Sequence, residues 1–249
     1  MRSISETIKV LVVSNVLFFL GTLVSGDAIY QLFSLYYFDN PQFALWQLLT
    51  HMFMHGGWMH LLFNMYALWA FGGPLEAQWG RDKFLFFYFS AGLGAALIHS
   101  LVNWYHVAKG VEVLMGMGMT SEEVGQLLNN TLTPGSYRVI PEMGAGVAEQ
   151  FFTAYNTPAV GASGAIYGIL VAFGMLYPNV ALMLIFVPFP IKAKYFIPIL
   201  LALDLFSGLT GTSLFGQNIA NWAHIGGALF GFIMAYYWRK NSFSHKRWY

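Results

Sequence analysis

Six stretches of the chain are apolar for long enough to cross, or nearly cross, a bilayer, which takes roughly 20 residues as a helix. They run at about 8–25, 59–78, 83–106, 163–178, 194–211 and 219–238. This pattern predicts an all-α integral membrane protein: a bundle of six transmembrane helices forming a single polytopic domain over residues 1–249. The fourth stretch is short, limited by Thr157-Pro158 and Gly161 on one side and by Pro178 on the other. At 1.5 Å per residue such a helix spans only part of the hydrocarbon, so one of its ends is expected below the membrane surface. The first stretch begins beside Arg2 and Lys9, as a signal peptide would. No convincing small-x-small cleavage site closes it and more apolar segments follow, so it reads as the first transmembrane helix.

The segments between the helices are unusual in two places. Residues 26–58 carry Tyr30, Phe33, Tyr36, Tyr37, Phe38, Phe43 and Trp46 with almost no charge, which predicts a membrane-embedded first loop lying partly among the headgroups. Residues 107–160 form a long outer loop insertion with Glu112, Glu122, Glu123, Glu142 and Glu149. Within it, Thr120-Ser121-Glu122-Glu123 has the form of a helix N-terminus, with acids in the first turn. A variable surface insertion is the preferred reading of this loop; a substrate gate or docking flap is the alternative.

Composition agrees with a lipid-facing surface. Charged residues are 9% of the chain, against about 25% in soluble domains, and hydrophobic residues are 57%. A net charge of +1 gives no basic cluster for phosphate contacts, so no nucleic-acid partner is expected. The absence of cysteine excludes disulfides, thiolate nucleophiles and Cys-based metal sites. With the N-terminus placed in the cytoplasm, Arg2, Lys9, Arg81, Lys83, Lys192, Lys194, Arg239, Lys240, Lys246 and Arg247 fall inside, and only Lys109 and Arg138 fall outside. The positive-inside rule therefore puts both termini in the cytoplasm.

Three polar constellations interrupt the apolar spans, where ionisable groups are costly and tend to be functional. Gly161-Ala162-Ser163-Gly164 opens the fourth helix and sets Ser163 at its outer end, among unpaired N–H groups and the positive end of the helix dipole. Taken alone, it is explained as well by packing, since Gly164, Gly168 and Ala172 form a small-residue stripe. On the sixth helix, His224 sits in a second stripe of Ala223, Gly227, Gly231 and Ala235. Two such stripes let the fourth and sixth helices meet backbone to backbone, bringing His224 to the depth of Ser163, which needs a base to become nucleophilic. An interhelical hydrogen bond explains His224 equally well if it is taken alone. On the second helix, His60 and Asn64 share a face at i, i+4 and can both donate to a developing negative charge. All three sets converge at one level, which packing alone does not require.

Other polar residues attract weaker readings. His51 and His55 could share a metal at i, i+4, but Gly56-Gly57 weakens the helix this needs, and no HExxH or nearby carboxylate completes a site. No metal or cofactor is therefore expected. His99 and His106 read as packing or interface residues. Asp204, an intramembrane acid on the fifth helix, has no partner legible in the sequence and reads as structurally paired.

Over about residues 46–238 the chain resembles the rhomboid intramembrane proteases. The resemblance rests on His55 and His60-x-x-x-Asn64, on Gly72-Gly73-Pro74-Leu75-Glu76 through Gly80, on Gly161-x-Ser163-Gly164 with Tyr167, and on Ala223-His224-x-x-Gly227-x-x-x-Gly231. It implies a serine endopeptidase with a Ser163–His224 dyad and no third acidic member. The Ser163 N–H, His60 and Asn64 would hold the oxyanion, Gly161 would shape the hole, and Tyr167 would stack on His224. It implies transmembrane protein substrates cut near the outer leaflet, gating of the fifth helix against the second, and a site opening to the outer side. The compact form fits a bacterial plasma membrane. The alternative is a rhomboid-like protein that binds transmembrane helices without cutting them. The chain departs from the family's frequent Trp-Arg pair by having Gln47 after Trp46, which implies a different hydrogen-bond network in the first loop.

Overall fold

The computed structural model describes residues 4–130, 141–183, 189–211 and 220–242. Of the cations used to orient the chain, Arg2, Arg138, Lys246 and Arg247 lie outside the described residues, as does position 219 at the start of the sixth stretch. The fold is mostly helical. It runs α1 (Glu6–Ser25), α2 (Asp27–Phe33), α3 (Gln47–Thr50), a 3-10 turn at His51–Phe53, and α4 (Trp58–Ala67). A π-helical turn (Leu68–Gly72) joins α4 to α5 (Gly73–Trp79). Then come α6 (Arg81–Gly116), α7 (Ser121–Asn130), α8 (Ala145–Asn156), α9 (Ser163–Leu176), α10 (Ala193–Thr210) and α11 (Asn221–Ser242). A two-stranded antiparallel ribbon, β1 (Ala181–Leu182) with β2 (Ile191–Lys192), precedes α10.

Among the described residues, three helices are long and apolar enough to cross a membrane: α1, α6 and α10. α9 is apolar but shorter, with 14 residues, or about 21 Å of axial rise. The second stretch is divided by its π turn, and α11 is diluted by Asn221, His224 and its glycines.

The centre of the bundle is α6, α9 and α11, and glycines decide how closely these pack. A Cβ built on Gly227 would stand 1.8 Å from the Gly164 carbonyl oxygen, and one on Gly231 would stand 2.5 Å from the Gly168 Cα. Both contacts advance by four residues along each helix, so α9 and α11 run parallel with their backbones touching. The third helix closes the other side: the Cβ of Ala95 occupies the space a side chain at Gly164 would need, and Ala91 does the same at Gly168. The two small-residue stripes read from the sequence are thus the contact surfaces. Around them the large side chains Phe84, Phe87, Tyr88, Leu68, Leu75 and Ile169 are fully buried.

The third stretch is longer than its hydropathy indicates. Helix α6 continues past residue 106 to Gly116, and the chain turns only at Gly118, whose φ is +94°. Lys109 and Glu112 end the apolar run without ending the helix, because neither breaks backbone hydrogen bonding. The described parts of residues 107–160 are accordingly not an open loop but a helical cap on the end of α6. Gly110 lets Phe151 of α8 lie directly on the α6 backbone, and Phe151, Phe152, Leu114, Val124 and Tyr155 form a second apolar core. The helix start expected at Thr120 is present as a reciprocal capping box: the Glu123 N–H donates to Thr120 Oγ1 at 3.3 Å, and the Thr120 N–H donates to Glu123 Oε2 at 2.8 Å. That donation holds the exposed Glu123 carboxyl below the ordinary carboxylate range.

The first loop folds around one buried amide. Gln47 is 1% exposed; its Oε1 accepts from the Tyr36 N–H at 3.3 Å. Its Nε2 donates to the Gln42 carbonyl at 2.8 Å and reaches the Gln31 and Leu32 carbonyls at 3.2 and 3.3 Å. Trp46 Nε1 donates to the Leu32 carbonyl at 2.8 Å, so both side chains of the Trp-Gln pair clasp α2 from the same side. The loop is then tied to the chain leading into α9 by a bridge between Leu35 and Ala159, with bonds of 2.9 and 2.8 Å. The Gly161 N–H donates to the His51 carbonyl at 2.9 Å. Asn40 Nδ2 donates to the Tyr155 carbonyl at 2.8 Å and fastens the cap to the same loop.

Two substitutions test this packing by thermal unfolding in detergent. Gly227→Ala is expected to destabilise by about 1–3 kcal/mol, because the methyl has no space against the Gly164 carbonyl. Gln47→Ala leaves the buried Tyr36 N–H without its acceptor and is expected to cost about 1–3 kcal/mol. An unchanged midpoint in either variant contradicts the corresponding contact.

Candidate active site

The start of α9 is shaped by Gly161 and by the free N–H groups of the first turn. Gly161 has φ +119°, a conformation that side-chain-bearing residues rarely adopt. A Cβ there would stand 2.7 Å from His60 Nε2 and 3.5 Å from Ser163 Oγ, so only a hydrogen at this position lets the two side chains approach. Ser163 is the first residue of α9, and its N–H has no acceptor one turn back, as at any helix start.

Ser163 Oγ lies 2.9 Å from His224 Nε2, a hydrogen bond across 61 residues of sequence. Gly164, next to the serine, and Gly227, three residues after the histidine, form the tightest of the backbone contacts described above. The distance between the two side chains is thus set within one helical turn of the closest helix approach in the bundle. His224 is buried, and the Tyr167 ring stacks on its imidazole with centroids 4.1 Å apart and planes inclined by 11°.

His60 and Asn64 come from one face of α4. The Gly56 N–H makes a long 3.4 Å contact to His60 Nδ1, which directs Nε2 towards Gly161. His55 packs edge-on against the His60 ring at 5.0 Å. Asn64 is buried, and its Nδ2 donor has no hydrogen-bond partner among the described residues. Buried amide donors are seldom left unused, and this one lies on the same helix face as His60. All six residues selected from the sequence, Ser163, His224, His60, Asn64, Gly161 and Tyr167, therefore belong to α4, α9, α11 and the turn before α9.

One residue acquires a partner that the sequence did not indicate. Asp204 on α10 is 5% exposed, and its Oδ1 lies 3.1 Å from His224 Nδ1. Neither chain spacing nor helical periodicity relates positions 204 and 224; only the packing of α10 on α11 joins them. The signal available was the presence of an acid in an apolar span. His51 and His55, the alternative metal pair, each meet a backbone carbonyl through Nδ1: His51 Nδ1 is bonded to the Gln47 carbonyl at 2.8 Å, and His55 Nδ1 is 3.3 Å from the Phe53 carbonyl.

Two spaces adjoin these side chains. A groove of about 1890 Å³ separates α4–α5 from α10, and Tyr66, Phe71, Leu200, Tyr167, Asp204 and His224 line it. Its walls are largely apolar, and His224 forms part of its inner end. A cavity of about 10 Å³ lies behind Ser163, beside His51, His99 and Gly161; it is near the lower limit of the volume that holds one water.

The sequence has relatives among known proteins. A family model described as the rhomboid domain matches residues 42–121 and 102–241. The rhomboid protease AarA of Providencia stuartii is 28% identical over 204 residues, covering 76% of this chain and 54% of that protein. The rhomboid protease GluP of Bacillus subtilis (strain 168) is 34% identical over 71 residues, 28% of this chain and 14% of that protein. The rhomboid protease GlpG of Salmonella choleraesuis (strain SC-B67) is 31% identical over 77 residues, 30% of this chain and 28% of that protein. The chain thus spans about half the length of AarA and smaller shares of the other two. With matches that cover most of its length, including the segments bearing Ser163 and His224, the chain belongs to the rhomboid family.

Proposed function

We propose that the protein is an intramembrane serine endopeptidase that hydrolyses peptide bonds of transmembrane proteins near the outer leaflet. The observation that carries this reading is the 2.9 Å hydrogen bond between Ser163 Oγ and His224 Nε2, at the head of a helix too short to cross the bilayer. The names of the related rhomboid proteases give it further support. On this reading the chain crosses the membrane six times, by α1, α4–α5, α6, α9, α10 and α11. Both termini are in the cytoplasm of a bacterial cell, and the site opens to the outer side of the plasma membrane.

On this reading each group has a role in acyl transfer through serine. Ser163 Oγ attacks the scissile carbonyl carbon while its proton passes to His224 Nε2. The carbonyl electrons move onto oxygen, which faces the Ser163 N–H, the His60 Nε2–H and the unpartnered Asn64 Nδ2. The tetrahedral intermediate collapses, the C–N bond breaks, and His224 returns the proton to the departing amine. Water then adds to the acyl ester with His224 again taking a proton, and the second collapse frees the carboxyl product and restores the Ser163 hydroxyl. Hydrolysis consumes water, which lipid excludes, so the polar groups must line a wet recess. The short α9 provides one by starting below the surface. The groove between α4–α5 and α10 is the route by which a substrate helix reaches His224 from the bilayer.

Cleavage of a single-span substrate by the protein reconstituted in liposomes tests the reading. Ser163→Ala and His224→Ala are expected to abolish turnover. Asn64→Ala and His60→Ala are expected to lower kcat by about 10²–10³, the usual cost of one oxyanion donor. Gly161→Ala is expected to fall with the first pair, because its methyl would displace His60. Equal residual rates in Asn64→Ala and Ser163→Ala contradict the ordering. Substrate capture that persists in Ser163→Ala, with no cleavage by the wild type, identifies a non-catalytic helix-binding protein instead.

A further inference from the structure

We infer that Asp204 is a positioning residue for His224: its carboxylate holds the imidazole proton on Nδ1 and fixes the ring so that Nε2 faces Ser163. The inference rests on the proteolytic reading and adds a third member to the Ser163–His224 pair. The dyad implied by family resemblance has no acid.

The argument is one of hydrogen-bond roles. The inference takes Asp204 as the carboxylate, which only accepts; in the 3.1 Å contact between Asp204 Oδ1 and His224 Nδ1 the proton then sits on Nδ1. A neutral imidazole with Nδ1 protonated has a lone pair on Nε2. The 2.9 Å contact on that side is then one in which the Ser163 hydroxyl donates. This is the orientation a general base needs, and the carboxylate selects it over the opposite tautomer. When Nε2 takes the serine proton, the imidazolium forms beside a negative charge already in place. Tyr167 restricts the ring by stacking on its face, but stacking does not choose between the two nitrogens.

Burial argues against a purely structural pair. Asp204 is 5% exposed, and its Oδ2 makes no hydrogen bond among the described residues. A buried carboxylate with one bonded oxygen is an expensive way to fasten α10 to α11, which a pair of apolar side chains would do at less cost. Asp204 also stands on the helix that forms one wall of the groove.

The test is nitrogen-15 NMR of histidine-labelled protein in bilayers, with the His224 signals assigned by their loss in His224→Gln, alongside cleavage kinetics. The wild type is expected to show His224 in the Nδ1–H tautomer. Asp204→Asn is expected to shift His224 towards the Nε2–H tautomer and to lower kcat by about 10²–10⁴, the upper figure being the loss seen on making the equivalent change in a soluble triad. KM is expected to change by less than about threefold, because this carboxylate orients the base without binding substrate. Asp204→Glu, which keeps the charge, is expected to recover at least about tenfold of the lost kcat. A wild-type His224 protonated on Nε2 overturns the inference without any variant, as does an Asp204→Asn protein whose kcat stays within threefold of wild type. An Nδ1–H tautomer in a wild type that cleaves no substrate sustains the orientation and overturns the proteolytic reading instead.

Discussion

The rest of the structure depends on how closely two helix backbones can approach. Gly227 lies against the Gly164 carbonyl and Gly231 against the Gly168 Cα, at separations that any side chain would prevent. In lipid there is little hydrophobic gain from bringing helices together, so small residues that permit extensive van der Waals contact are what hold a pair. Here that contact also sets the distance between a serine and a histidine, because Ser163 adjoins one glycine of the pair and His224 lies less than a turn from the other. A shift of one ångström between α9 and α11 would break the 2.9 Å bond between them. The packing explanation and the catalytic explanation of these glycines are therefore the same explanation.

Two neighbouring structures keep the start of α9 in place. The first loop, organised by the four contacts of Gln47, bridges to Ala159 and lends the His51 carbonyl to the Gly161 N–H. The cap formed by α7 and α8 on the extended α6 is tied to the same loop through Asn40 and Tyr155. Both constraints act within a few residues of Ser163, on the one segment whose backbone must adopt φ +119°. The side facing α10 is different: there an apolar groove reaches His224, and Asp204 couples the groove wall to the imidazole. The site is thus braced on the loop side and bounded by a separate helix on the other.

Much of this was legible in the sequence, for reasons that can be stated residue by residue. The stripes at Gly164–Gly168 and Gly227–Gly231 repeat every four positions, so their contact follows from helical periodicity. The capping box at Thr120 and Glu123 is a purely local pattern and was found where expected. Hydropathy stopped at residue 106, because it measures the solvent preference of side chains, and α6 continues to Gly116 without a backbone breaker, with Val107 and Leu114 buried under the cap. Gln47 looked like a departure from a familiar pair, yet its amide both accepts and donates: Oε1 takes the Tyr36 N–H, one N–H goes to the Gln42 carbonyl, and the other is shared between the Gln31 and Leu32 carbonyls. The Asp204–His224 contact was not legible, since it depends on the relative rotation of α10 and α11, which no local pattern encodes.

The central claim is that Ser163 is activated by His224, and covalent labelling tests it most directly. Purified, detergent-solubilised protein is treated with a fluorophosphonate probe, and the adduct is located by peptide mass spectrometry. The account predicts one adduct, on Ser163, that disappears in His224→Ala although the serine is still present. A folded wild-type protein that acquires no adduct, or a His224→Ala variant labelled at the wild-type rate, would contradict it.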